Sequence, residues 1–140
     1  MSVHINHLAV WIASAIYFAI GGLWYAPLLF GKKWLALNRI SDTDRANNLK
    51  AIGGMGMLLG LSFTGGLISI YALACLLSAA QITTATNAAL TGLLAGIAFV
   101  LGPTTVSNLF SIRSFKLTLI DAGYVVLALT ISGAILGTWQ

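Results

Sequence analysis

The stretch GGLWYAPLLFGKKW, residues 21–34, runs from two glycines through a group of aromatics to a proline and two lysines. That order is what a helix leaving a bilayer needs. Trp24 and Tyr25 carry amphipathic rings suited to the headgroup level. Pro27 has no backbone N–H and crowds the preceding turn, so it ends the helix. Beyond it Phe30, Trp34 and Leu37 recur at helical spacing while Lys32, Lys33 and Arg39 fall on other faces, the pattern of a short segment lying on the inner leaflet. Trp24, Tyr25, Phe30, Lys32, Lys33 and Trp34 are therefore the expected interface anchors, with the lipid bilayer as the first expected partner.

The composition around this stretch agrees with a membrane setting. Of 140 residues, 59% are apolar and 7% charged, where a soluble domain carries about 25% charge. The mean hydropathy is +0.95, which excludes an ordinary water-soluble core. A helix needs about 20 apolar residues to cross about 30 Å of hydrocarbon. Four such runs occur, near residues 4–26, 54–80, 86–110 and 117–138, with a charged interfacial loop over 27–53. The expected architecture is a single all-α integral membrane domain over 1–140, a bundle of four transmembrane helices.

Charge placement orients the bundle. Lys32, Lys33, Arg39, Arg45 and Lys50 lie in the first connection, and Arg113 and Lys116 in the third. The positive-inside rule puts both connections in the cytoplasm and both termini outside, as in a multi-pass protein of the cell inner membrane. The first run has no basic residue ahead of it and no small-residue cleavage site, so it reads as a retained span. Because the basic residues alternate with membrane anchors rather than forming a stripe, no nucleic-acid surface is expected. Cys75, the single cysteine, has no partner for a disulfide within the chain. Ser41 and Asp44 read as a capping box that starts a helix before the second span, and Gly53 with Gly54 marks a break.

The WYAPLLFGKKW segment, the charged loop after it and the closing KLTLIDAGYVVLALTISGAILGTW resemble a bacterial family of small four-helix membrane proteins, domain of unknown function 1761. The likeness covers nearly the whole chain. It is carried by Trp24, Tyr25, Pro27, Phe30, Gly31, Lys32 and Trp34, then by Ala122, Gly123, Tyr124 and the stretch from Gly133 to Trp139. The resemblance implies a fold and a location but no activity, and it implies an amide at position 121, from which Asp121 departs.

Four features are candidate sites. Gly56 with Gly60, Gly92 with Gly96, and Gly133 with Gly137 recur four apart, a spacing that lets helix backbones approach closely, within one bundle or between copies. In the third span Pro103 should kink the helix and free a carbonyl. After it Thr104, Ser107, Asn108 and Ser111 share a face, which serves either a solute path or an interhelical hydrogen-bond ladder. Asp121 is the one carboxylate inside a span, and an ionisable group there is a functional candidate by default. It also lies close enough to Lys116, Arg113 and the helix N-terminus to be a paired interfacial charge. His4 and His7, three apart near the outer surface, could face one metal ion, but a zinc site needs further ligands that this side lacks. No metal or cofactor is therefore expected.

No acid and base pair, phosphate-cradling loop or ligand cluster points to an enzyme. The first reading is a small oligomeric channel or transporter for a small solute or ion, using Pro103, Thr104, Ser107, Asn108 and Asp121. The alternative is an accessory or assembly subunit of a larger membrane complex, with a homo-oligomer or another membrane protein as partner; a membrane-embedded enzyme comes third.

Overall fold

In the computed structural model, which describes residues 5–139, each apolar run begins and ends at a local signal. Helix α1 (His7–Trp24) starts from Asn6, whose side-chain oxygen accepts the Ala9 N–H at 3.1 Å. That bond satisfies one of the donors a helix start leaves free. The Asn6 amide also donates to the Trp139 carbonyl at 2.8 Å, so the first and last spans are fastened side by side at the end of the bundle that bears the termini.

After Trp24 the chain turns back on itself. The Phe30 N–H returns to the Trp24 carbonyl and the Gly31 N–H to the Ala26 carbonyl, both at 3.1 Å. A Cβ at Gly31 would collide with the carbonyl groups of Tyr25 and Ala26, so the reversal requires glycine at that position. Helix α2 (Gly31–Asn38) follows, and Arg39 closes it in the left-handed region at φ 55°. Helix α3 (Asp42–Ile52) opens on the expected capping box. The Ser41 hydroxyl accepts the Asp44 N–H at 3.1 Å, and the Asp44 carboxylate accepts the Ser41 N–H at 3.1 Å and its hydroxyl at 2.6 Å. Those bonds, the hydroxyl first, hold the Asp44 carboxyl below its ordinary value. Gly53 and Gly54, at φ 104° and 92°, make the break that separates α3 from α4 (Met55–Ala79), since other residues are strained there.

The third span is continuous from Ala85 to Phe110. It consists of α5 (Ala85–Gly96), a five-residue π turn at Ile97–Leu101, and α6 (Gly102–Phe110). The disturbance associated with Pro103 thus lies in the turn before it, where the Gly102 N–H bonds the Ile97 carbonyl five residues back. Such a widened turn is one way a helix absorbs a residue that cannot donate. Helix α7 (Phe115–Thr138) completes the chain. Four helical segments, α1, α4, α5–α6 and α7, are long and apolar enough to cross a membrane. The protein is all-helical among the described residues and multi-pass in character.

Helix α7 is the hub. On one side it meets α5 through glycines contributed by both: a Cβ at Gly92 would strike the Leu129 carbonyl, and one at Gly133 the Ala88 carbonyl. Gly96 abuts Val126, and Gly137 abuts Ala88. Lipid supplies no hydrophobic push between helices, so this close backbone approach is itself a source of cohesion. On its other side α7 meets α1, and α1 in turn meets the second half of α4, where Ile70, Leu73 and Leu77 are buried. The start of α4, residues 55–62, is exposed, and the contact with α1 begins at Phe63, which packs on Trp11 and Phe18. Gly56 and Gly60 face open space, and Met55, Leu59 and Leu61 are exposed.

The small-residue pairs therefore divide by environment, and unfolding in mild detergent should separate them. Gly133→Ala is expected to cost about 1–3 kcal/mol, because the α5–α7 contact has no room for a methyl group. Gly60→Ala is expected to be neutral or to gain up to about 1 kcal/mol from helix propensity. Equal effects at the two positions would contradict the packing described.

Candidate functional site at Asp121

The backbone reversal at Gly31 brings α2 against α7, and the side chains that meet there surround a carboxylate. Asp121 lies nearly two turns into α7 and is half-buried. Its Oδ1 accepts the Trp34 indole N–H at 2.8 Å and the Tyr25 hydroxyl at 2.9 Å. One residue earlier on α7, the Ile120 carbonyl accepts the Trp24 indole N–H at 2.9 Å. The rings interlock: Trp24 with Phe30 at 4.6 Å between centroids, Tyr25 with Trp34 edge-on at 5.8 Å, and Tyr25 with Tyr124 edge-on at 5.8 Å.

The aromatics read as interface anchors thus turn inward onto α7, while Lys32 and Lys33 remain exposed. Each polar tip finds a specific acceptor, which an amphipathic ring requires once half-buried. Asp121, in turn, differs from the paired interfacial charge that its spacing from Lys116 and Arg113 suggests. Both of its donors are uncharged, and Lys116 and Arg113 are exposed. The second oxygen, Oδ2, accepts no hydrogen bond among the described residues.

The stripe after Pro103 is not gathered into this site. Asn108 is buried and its amide donates to the Thr118 hydroxyl at 2.9 Å, joining α6 to α7. Pro103 and Ser107 are exposed, and Thr104 is half-buried. Asn108 therefore acts as a rung between helices. At the other end His7 Nδ1 and the Tyr71 hydroxyl pair at 2.8 Å; His4 lies outside the described residues. An apolar groove of about 370 Å³ between α5 and α7, lined by Ala89, Leu90, Leu93 and Ala134, carries no titratable group.

Sequence reasoning selected Asp121, Tyr25 and Trp34 but did not connect them. It passed over Tyr17 and Ser14 and named Tyr124 only within the family likeness; all three line the α1–α7 contact. The available signal was spacing: Ser14, Tyr17, Gly21 and Tyr25 fall three and four apart on α1, and Asp121, Tyr124, Ala128 and Ser132 do the same on α7.

Burial first, and then the charge and hydrogen bond of Asp121, push the Tyr25 phenol above its ordinary value. A raised phenol contributes stability that is present below the ordinary value and is lost as the pH rises through the folded one. The Tyr25→Phe protein should therefore show the same rise in tyrosinate absorbance at about pH 10 as the parent. A smaller rise would mean that Tyr25 itself ionises at the ordinary value and is not held by Asp121.

No curated protein and no solved structure matches the chain. A family model described as a protein of unknown function, DUF1761, matches residues 8–137, and the chain belongs to that family.

Proposed function

We propose that this protein moves a small ion across the cytoplasmic membrane, with the basic loops on the inner side and Asp121 as the ionisable group on the path. The observation that carries this reading is a carboxylate inside a membrane span whose two donors are both neutral. Retaining a charge at that depth is costly, and such residues characteristically line ion and proton routes. The inward-turned aromatics fix the carboxylate in place while leaving one oxygen free to exchange its ligand.

A second reading, an accessory subunit that docks on another membrane protein, is favoured by a different observation. The start of α4, residues 55–62, is largely apolar, exposed and bears two open glycines, Gly56 and Gly60. Such a surface suits a neighbouring helix.

Ion flux into liposomes holding the purified protein separates the two. Asp121→Asn is expected to reduce flux by about tenfold or more, equivalent to a barrier increase of about 1.4 kcal/mol. Gly60→Leu should leave it intact. Insensitivity to Asp121→Asn, with Gly60→Leu abolishing co-purification of a foreign chain, would overturn the transport reading in favour of the accessory one.

A further inference from the structure

We infer that the basic end of the protein is a docking surface for anionic phospholipid, built as two clamps that each set exposed apolar side chains beside unpaired cations. The inference is separate from the transport reading, since Asp121 takes no part in it.

All seven Lys and Arg residues lie in the two connections at this end, and every one is exposed. The carboxylates do not neutralise them. Asp44 is engaged by the Ser41 N–H and hydroxyl, and Asp121 by Tyr25 and Trp34. Asp42 stands exposed at the start of α3. Among the described residues no ion pair joins a basic side chain to any of the three. The excess positive charge therefore has no counter-charge within the chain, and an anionic surface outside it is the complement.

The first clamp is the reversal between α1 and α2. Because Trp24, Tyr25 and Trp34 turn inward, the large side chains left facing outward there are Leu28, 96% exposed, and Leu29. Lys32 and Lys33 follow at the start of α2. The second clamp is the turn between α6 and α7, where Ile112 is 94% exposed and Phe115 is also exposed. Arg113 and Lys116 come directly after these two. Ile112 stands at φ 54°, in the region glycine favours at a helix end and a β-branched residue seldom enters. It buries almost nothing within the chain, so internal packing does not offset that strain. Immersion in the acyl layer does. The two clamps neighbour each other, since Trp24 bonds the Ile120 carbonyl one turn beyond Lys116 on α7.

Apolar side chains seated at the membrane boundary fix the depth of the cations beside them, whose stems run along apolar surface and whose heads reach the phosphates. A zwitterionic headgroup offers the same phosphate together with its own cation, which these side chains repel. An anionic headgroup lacks that repulsion, so the surface discriminates by net charge.

The test is quenching of tryptophan fluorescence by brominated phosphatidylglycerol against brominated phosphatidylcholine in liposomes. The full-length protein is used with Trp11→Phe and Trp139→Phe, so that Trp24 and Trp34 report the basic end. The anionic lipid should be favoured by about fivefold or more at low salt, the effect of one cation near an anionic surface, and less as salt rises. Lys32→Gln/Lys33→Gln and Arg113→Gln/Lys116→Gln should each lower that ratio by at least about twofold. Lys32→Arg/Lys33→Arg should restore it, and Asp121→Asn should leave it unchanged. Leu28→Ser/Ile112→Ser should lower it without any change in charge. All of these positions except Asp121 are exposed, so the fold is spared. Equal quenching by the two lipids, or a ratio that survives removal of both cation pairs, would overturn the inference. So would a ratio indifferent to Leu28→Ser/Ile112→Ser, which would leave charge alone without clamps. Loss of the ratio in inorganic phosphate but not in chloride of equal ionic strength would assign the cations to free phosphate and overturn it as well.

Discussion

Two hydrogen bonds on one carboxylate oxygen organise the basic end of this molecule. Trp34 and Tyr25 come from opposite sides of a backbone reversal and meet on Asp121. Hydrogen bonds to charged groups are worth about 1.5–3 kcal/mol, roughly twice neutral ones, and they lose little to competition where water is scarce. The reversal at Gly31 follows from this constraint, because only a chain that doubles back there can deliver both rings to one atom. The short α2 helix, with few apolar contacts of its own, is held against the bundle chiefly through Trp34.

The same arrangement sets the register of the first and last spans. Asp121 at one end and the Asn6–Trp139 bond at the other fasten α1 to α7. Between these fastenings the seam is unusually polar for a bundle interior, with two tyrosines and two serines facing one another. The other face of α7 is committed to α5 by interlocking glycines. With both faces occupied, α7 is the most buried of the four spans.

The spans were legible in the sequence because run length and charge placement are local properties. The Ser41–Asp44 capping box and the Gly53–Gly54 break were legible for the same reason: each is specified within a few residues. The candidate site was less so. Nothing near position 121 states that its partners lie on the far side of the chain at Tyr25 and Trp34, because that pairing depends on the register between two helices. The glycine pairs show the limit from another side. Gly56–Gly60 and Gly92–Gly96 have the same spacing, yet one faces open space and the other a helix backbone. Likewise Asn108 has the residue type of a path-lining group, and its bond to Thr118 makes it a link between helices.

The central claim is that Trp34 and Asp121 share a bond on which α2 docking depends. A double-mutant cycle on unfolding in mild detergent, comparing Trp34→Phe, Asp121→Ala and the pair, tests it most directly. The bond predicts a coupling energy of about 1.5–3 kcal/mol, as for a hydrogen bond to a charged group. Additivity within about 0.5 kcal/mol would show that the two residues act independently and would contradict the account.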